Sequence, residues 1–287
     1  MPVDLQALYP KLIHLMLDTV FVVDRDNQIV FVSDACEALL GYRANELVGT
    51  LITDYMHPDD LAATRASIVR VMNGQSHVDF RNRYIRKDGS VVSILWAAFW
   101  SQEVEARIGV ARNVTALAKA EEELRFLAHH DPLTKLTNRS LFNDRLESAV
   151  HAAHRHQNSL ALLFIDINDF KGINDAHGHA AGDRVLCEIA RRLERCVRET
   201  DTVARMGGDE FTVLLTDIHS PSAVFDKVEQ ILAVMAAPLG AEFDGIVMPS
   251  CSIGVACYPA DGEDADTLLS HADGEMYRIK NRRRAMR

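Results

Sequence analysis

The sequence has few cysteines, no long apolar run and no excess of positive charge. Its five cysteines are irregularly spaced and form no C-x-x-C pair, so we expect reduced thiols of the kind found in a cytosol. No segment approaches the roughly 18 consecutive apolar residues of a membrane-spanning helix. The first residues lack the basic and apolar regions of a secretory signal. These absences predict a cytoplasmic protein without a membrane span.

The formal net charge of −10 at pH 7 argues against nonspecific nucleic-acid binding. A polyphosphate ligand would therefore have to arrive with a metal ion and meet local cations. Positive charge is concentrated in residues 278–287, where six of ten side chains are Arg or Lys. This segment is either a solvated helical tail or a clamp for phosphate.

The most informative stretch is the segment RMGGDEF, residues 205–211. Two glycines between apolar, β-rich runs predict a tight hairpin turn. Glycine also lets the backbone approach a ligand closely, because it has no Cβ. Asp209 and Glu210 lie on this turn, at its exposed tip, where paired carboxylates are well placed to hold a metal ion.

A second acidic position supports that interpretation, since a Gly-Gly-Asp-Glu turn by itself is more often only a solvated hairpin. Residues 160–165 form a continuous apolar run that ends at Asp166. Such runs predict a buried strand, which would fix the carboxylate at its end. Asp166 and Asp209 together would give hard oxygen ligands to Mg²⁺, which usually takes one or two carboxylates plus substrate phosphates.

Further motifs follow one another over residues 127–287. They are DPLTKLTNR at 131–139, DINDFKGIND at 166–175, GHAAGD at 178–183, SIGVA at 252–256, and ADGEMYRIK at 272–280. With the glycine turn, this set resembles the GGDEF family of diguanylate cyclases. Asn168 stands where the family has a second Asp, and Arg283 where it has Gly. Alternating strands and helices predict an α+β domain, and the resemblance implies a palm-like fold, similar to nucleotidyl cyclases and polymerases.

The activity that the resemblance implies is condensation of two GTP into cyclic di-GMP and two pyrophosphates. It implies Asp166 and Asp209 as ligands of Mg²⁺ or Mn²⁺, with the Ile167 carbonyl as a third donor. Glu210 would complete the catalytic set by meeting a second metal ion or the attacking 3′-hydroxyl. The alternative is a degenerate GGDEF domain that acts as a receptor for GTP or cyclic di-GMP.

The resemblance implies that Asn174 and Asp183 recognise guanine. A carboxylate accepts from the guanine N1–H and exocyclic amine, and an amide can donate to O6 or N7. The other substrate contacts that the resemblance implies are Phe170, Lys171, Gly207, Gly208, Lys280 and Arg284. Upstream of the glycine turn, Arg198 and Asp201 form an R-x-x-D motif that matches the family's site of product inhibition.

Two strands, several helices and three strands are predicted in residues 1–115, after an amphipathic helix over residues 5–18. This order resembles a PAS domain, which implies a five-stranded antiparallel sheet with helices. Its markers are GY at 41–42, HPDD at 57–60, KDGS at 87–90 and NVT at 113–115. Asp59 is a plausible cap for the helix that ends near residue 72.

The ligand of the PAS domain is not evident from the sequence. An aromatic group could stack on a flavin, and two histidines could ligate haem, although structural roles are favoured for all of them. The aromatic candidates are Trp96, Phe99 and Trp100. The histidine candidates are His57 and His77.

Residues 116–130 are rich in helix formers and contain neither Pro nor Gly, which predicts a helical linker between the PAS domain and a cyclase domain at 131–287. Leu117, Ala120, Leu124 and Leu127 fall at heptad positions a and d. The segment is therefore a short parallel coiled coil or a plain spacer. One domain would bind one GTP, and the product has twofold symmetry, so we expect a homodimer through linker and PAS domain.

Overall fold

The computed structural model describes residues 8, 11, 13, 15–218, 220–240, 243 and 245–285, without the side chains of Pro221 and Arg284. The chain forms two compact units, residues 1–123 and 124–287. Half of the residues of the helix predicted over residues 5–18 lie outside the described residues. In the part of the chain that is described, no helix has the length and apolar character needed to cross a bilayer.

The first unit is built on an antiparallel sheet of five strands in the spatial order β2-β1-β5-β4-β3. The strands are β1 (Thr19–Val23), β2 (Ile29–Val32), β3 (His77–Ile85), β4 (Val91–Ser101) and β5 (Ala106–Asn113). Between β2 and β3 the chain forms α1 (Cys36–Leu40), α2 (Ala44–Leu47) and α3 (Leu61–Met72), with 3₁₀ turns at Ile52–Tyr55 and Pro58–Asp60. This arrangement confirms the fold predicted for the N-terminal half.

The start of α3 differs from the prediction. Asp59 lies inside the preceding 3₁₀ turn, and the His57 ring accepts its backbone N–H at 3.4 Å. Asp60 is the residue before α3, and its carboxylate binds Arg83 on β3 at 2.7 Å. The prediction that Asp59 caps the helix is therefore wrong, because the extra turn moves the helix start to Leu61.

The linker forms one helix, α4 (Thr115–His129). It begins where the Asn113 side chain accepts the Thr115 N–H at 3.0 Å. None of its residues is buried, and Leu117, Leu124 and Leu127 keep 51%, 67% and 45% of their surface exposed. The helix is confirmed, whereas its pairing with a second chain stays a prediction.

The second unit has a five-stranded sheet in the order β10-β7-β9-β8-β6, in which only the β6–β8 pair is parallel among the described strands. Its strands are β6 (Thr137–Asn138), β7 (Ser159–Ile167), β8 (Thr202–Gly207), β9 (Glu210–Ile218) and β10 (Cys251–Tyr258). Its helices are α5 (Arg139–His156), α6 (Phe170–His177), α7 (His179–Cys196), α8 (Pro221–Ala236) and α9 (Ala265–Ala285).

Helices cover both faces of this sheet, which explains why β7 is continuously apolar from Leu160 to Ile165. Leu163 and Ile165 belong to the core that α7 and α8 complete. Leu162 and Phe164, which alternate with them, belong to the core formed with α5 and α9. The sheet and its two helical layers confirm the α+β prediction. Because both faces of the sheet are buried by apolar cores, a polar site is expected at the strand ends.

Candidate functional site

The two acidic segments meet at one end of the central strands. Asp166, next to last in β7, pairs in register with Glu210 on β9 and with Ser252 on β10. The Ile167 N–H donates to the Asp209 carbonyl at 3.2 Å. The structure therefore brings together the three acidic residues that the sequence singled out.

The glycine turn between β8 and β9 has the predicted hairpin form. Gly207 has φ 146° and Gly208 has φ 54°, and both lie in the region that side-chain-bearing residues disfavour. A Cβ built on either glycine would have nothing within 4 Å. Backbone conformation therefore requires these glycines, and the open space above them leaves room for a ligand to approach.

Arg205 supports this turn through hydrogen bonds, a role that could not be predicted from the sequence. Arg205 donates from Nε and Nη2 to the Gly208 carbonyl at 3.0 and 2.7 Å, and from Nη1 to Asp131 at 3.0 Å. Burial alone would raise the pKa of Asp131, but hydrogen bonds from Thr134 and Arg205 outweigh it and hold that pKa below its usual range. The opening DPLT motif thus anchors the acidic turn.

Lys280 reaches Asp166 from α9. Its Nζ lies 2.6 Å from Asp166 Oδ2, and the two side chains are 19% and 6% exposed. The helix can come this close because Gly254 on β10 has no side chain: a Cβ there would overlap the Ala272 carbonyl oxygen and the Met276 backbone nitrogen. The glycine of the SIGVA motif therefore helps to position the lysine.

Glu210 lies among other acids. Burial raises the pKa of Glu210, and the charges of Asp166 and Asp209 raise it further, while Arg139 lowers it. A divalent cation would relieve this repulsion. Among the described residues, no group of three or more His, Cys, Asp or Glu is arranged to hold a metal ion. Two carboxylates and a backbone carbonyl suit Mg²⁺, which completes its shell with water and phosphate oxygens.

Asn168, the departure from the family motif, has a structural role. Its side-chain nitrogen donates to Ser250 Oγ at 3.0 Å, and its oxygen accepts from Ser252 Oγ at 2.9 Å. An amide can serve both roles at once, since it carries a donor and an acceptor. Arg283, the other departure in this domain, donates to the Cys251 carbonyl at 2.7 Å. Both residues fix the start of β10 beside Asp166.

The residues predicted to recognise guanine lie on α6 and α7. The Asn174 side-chain oxygen is buried and has no hydrogen-bond partner among the described residues. Gly182 makes room for this side chain, since a Cβ there would overlap the oxygen and come within 3.0 Å of Phe170. Asp183 follows Gly182 and is exposed, as is Lys171. The side chain of Arg284, also predicted to bind substrate, lies outside the described residues.

The R-x-x-D motif forms a turn before β8. Asp201 accepts from the Arg198 N–H at 3.0 Å and from the Thr216 N–H at 3.2 Å. Arg198 is exposed and borders a cleft of about 310 Å³, together with Lys135 and Arg145. Asp201 thus fixes the shape of the loop, and the side chains of Arg198, Lys135 and Arg145 lie together at the cleft.

Three of the PAS residues considered as cofactor contacts, His57, His77 and Trp96, have protein partners. His57 accepts the Asp59 N–H, and His77 Nδ1 lies 2.7 Å from Ser67 Oγ. Trp96 donates to the Asn82 side chain at 2.8 Å. The structural roles favoured from the sequence agree with these contacts.

Together, the folds and the acidic turn define a protein with a PAS-like unit followed by an α+β unit of the nucleotidyl-cyclase type. The chain belongs to the GGDEF family: the family model described as "Diguanylate cyclase, GGDEF domain" matches residues 128–286. A PAS-fold family model matches residues 29–110.

Curated relatives share the second unit. The diguanylate cyclase TpbB of Pseudomonas aeruginosa is 46% identical over 160 residues, which are 56% of this chain and 37% of that protein. MucR of the same species, a bifunctional diguanylate cyclase/cyclic di-GMP phosphodiesterase, is 42% identical over 194 residues, which are 68% of this chain and 27% of that protein. The chain therefore spans well under half the length of these relatives.

Solved structures resemble the same region. The GGDEF domain of TpbB matches with a TM-score of 0.52 and 45% identity, over 54% of this chain and 90% of that one. The coiled coil and GGDEF domain of DgcB from Caulobacter crescentus, in complex with c-di-GMP, matches with a TM-score of 0.52 and 28% identity, over 58% of this chain and 88% of that one.

Proposed function

We propose that the protein is a diguanylate cyclase, which condenses two GTP into cyclic di-GMP and releases two pyrophosphates. The observation that carries the proposal is the sheet register that sets Asp166 opposite Glu210 and beside Asp209. Family membership and the relatives named as diguanylate cyclases support it.

In this proposal, Asp166, Asp209 and the Ile167 carbonyl hold Mg²⁺ or Mn²⁺. The bound metal would supply charge neutralisation at the phosphates, which phosphoryl transfer needs more than covalent help. Lys280 orients the Asp166 carboxylate, and with Lys171 and Arg284 it would contact the phosphates. Glu210 is suited to accept the proton of the 3′-hydroxyl, because burial and its acidic neighbours raise its pKa.

Guanine specificity would come from Asn174 and Asp183, with Phe170 forming part of the wall. The buried oxygen of Asn174 lacks a protein partner among the described residues, and a buried polar atom of this kind favours a ligand that satisfies it. Adenine has an acceptor at N1 and no 2-amino group, so it would leave the Asp183 carboxylate unsatisfied. Gly207 and Gly208 would let the backbone pass close to the nucleotide.

Condensation of two GTP requires two such domains to face each other, so we also propose a homodimer. The exposed leucines of α4 suit a parallel coiled coil. The PAS unit would then set the geometry of the coil and thereby the fraction of time that the two domains meet productively.

The decisive experiment incubates the purified full chain with GTP and Mg²⁺ and measures both products. We expect cyclic di-GMP and pyrophosphate in a ratio of about one to two, and at least about a hundredfold loss of turnover in Asp209→Asn and Glu210→Gln. Asp217→Asn is the matched control on β9, since Asp217 has φ 51° and Asn tolerates that conformation. Tight binding of GTP or cyclic di-GMP without turnover would instead support the receptor alternative.

We further propose product inhibition at Arg198 and Asp201. Arg198 is exposed beside a cleft that Lys135 and Arg145 also line, and an arginine can grip both phosphate and guanine edges. Arg198→Ala should relieve inhibition by added cyclic di-GMP and keep the initial rate. An unchanged inhibition curve in this variant would refute the assignment.

A further inference from the structure

The PAS unit contains a cavity of about 70 Å³ between its sheet and α3. Apolar side chains form most of its wall, among them Phe21, Met56, Val71 and Trp96. A water-sized group needs about 10–15 Å³ by this measure, so the cavity holds roughly five to seven non-hydrogen atoms. Flavins and haem need pockets several times larger.

One cationic side chain lines this cavity. Arg107 on β5 is only 7% exposed. Its Nη2 donates to the Asn27 side-chain oxygen at 2.7 Å, whereas its Nη1 is buried and has no hydrogen-bond partner among the described residues. No described carboxylate forms an ion pair with Arg107. By contrast, Arg25, Arg83 and Arg112 of the same unit each form an ion pair with a carboxylate.

Among the described residues, the nearby acidic groups form no ion pair with this guanidinium. Burial lowers the pKa of the Arg107 guanidinium, while Tyr84 and Asp24 raise it, and an arginine stays protonated in proteins. Burial raises the pKa of Tyr84 far above its ordinary value, so the phenol is neutral. Asp24 raises the pKa of Arg107 through its charge without forming an ion pair with it, and its Oδ1 accepts the Asp26 and Gln28 N–H groups in the β1–β2 turn.

A buried guanidinium without a direct ion-pair partner is costly, and an anion inside the cavity that binds its free Nη1 would offset that cost. We propose that this cavity is a sensor site for a small monocarboxylate of about five to seven non-hydrogen atoms, with the carboxylate on Arg107 and the alkyl group against the apolar wall. Guanidinium nitrogens match a carboxylate in geometry as well as in charge. The apolar wall distinguishes such a ligand from an inorganic anion, which has no group to bury there.

Propionate and butyrate are the probes, tested on the full chain at constant ionic strength. Binding should be saturable in thermal-shift measurements and in tryptophan fluorescence, since Trp96 lies in the cavity wall. Propionamide and 1-butanol share the size but lack the charge and should give no saturable response. Chloride and nitrate should give none either. Absence of any response to the carboxylates, or an equal response to the amide, the alcohol or the inorganic anions, would overturn the proposal.

The variant pair is Arg107→Gln and Arg112→Gln. Arg112 lies on the same strand but is exposed, with an ion pair to Asp18 at 2.7 Å. Arg107→Gln should weaken propionate binding about ten- to a hundredfold, as expected for loss of a charged hydrogen bond, and Arg112→Gln should bind like the unmodified protein. Equal binding in both variants refutes the role of Arg107. If Arg107→Gln does not fold, the comparison of acid with amide in the unmodified protein still decides.

Discussion

The ion pair between Lys280 and Asp166 joins two segments that are 114 residues apart at the centre of the acidic site. Replacing Lys280 with Met keeps the length and apolar stem of the side chain and removes its charge. The Asp166 carboxylate would then remain close to Asp209 and Glu210 without the lysine. We expect this variant to be strongly destabilised, and to lose cyclase activity if the proposed function is correct.

The expected loss of stability in Lys280→Met follows from the burial of the Lys280–Asp166 ion pair. Removing one partner of a buried ion pair costs about 3–5 kcal/mol. Asp166 is 6% exposed, but Lys280 keeps 19% of its side chain in contact with solvent. We therefore expect the lower end, about 3 kcal/mol, which in a domain of this size corresponds to a fall in Tm of about 6–12 °C.

The two units can be followed separately during unfolding in urea. Both tryptophans, Trp96 and Trp100, lie in the first unit, so their fluorescence reports that unit alone. Circular dichroism at 222 nm follows both units. The Lys280→Met variant should shift the circular dichroism transition and leave the fluorescence transition in place. Arg282→Met, an exposed change on the same helix, should stay within about 0.5 kcal/mol of the unmodified protein.

A double variant separates the cost of the lone charge from the loss of packing. Asp166→Asn with Lys280→Met removes both charges, and with them the cost of leaving one charge of a buried pair behind. We expect it to recover most of the stability while remaining inactive. If Lys280→Met costs less than about 1 kcal/mol, or if the double variant is as unstable as the single one, the reasoning about this pair is wrong.

Three further changes test other parts of the second unit. Asp131→Asn loosens the support of the acidic turn and should lower kcat about tenfold at saturating GTP; an unchanged rate of pyrophosphate release would contradict this. Gly254→Ala places a methyl group against the backbone of α9 and should cost about 3 kcal/mol or more in urea unfolding, whereas Gly274→Ala, with nothing within 4 Å of its Cβ, should gain up to about 1 kcal/mol. The hydrogen bond from Arg191, helped by the next arginine, lowers the pKa of Glu188 from 4.5 to about 2. This depressed pKa contributes about 3 kcal/mol above pH 4.5 that is lost as the pH falls toward 2, so Glu188→Gln should flatten stability between pH 6 and pH 3, and an unchanged slope would refute it.

Local patterns predicted the parts of the site that local sequence determines. A continuous apolar run followed by an acid indicated a buried strand with Asp166 at its end, and the structure has both because helices cover the two faces of β7. The paired glycines indicated a turn, and both have the positive φ that this turn requires. The prediction of a helix cap at Asp59 was wrong because a 3₁₀ turn precedes the helix. Such a turn leaves the spacing of the apolar residues unchanged, so the sequence pattern does not reveal it.

Long-range partners could not be predicted in the same way, because a charged side chain in a sequence does not indicate what it will meet. Arg205 is adjacent to the glycine turn, yet its role depends on Asp131, 74 residues earlier. In the sequence, Arg107 is one basic residue in a predicted strand. Only the structure shows that it is buried and that no described acid forms an ion pair with it. The same physical rule explains both residues: a buried charge needs a partner, which Asp131 provides for Arg205. For Arg107 no described acid provides one: Asn27 accepts a hydrogen bond from Nη2, but Nη1 has no partner among the described residues. We therefore interpret Arg205 as a structural support and Arg107 as part of a binding site.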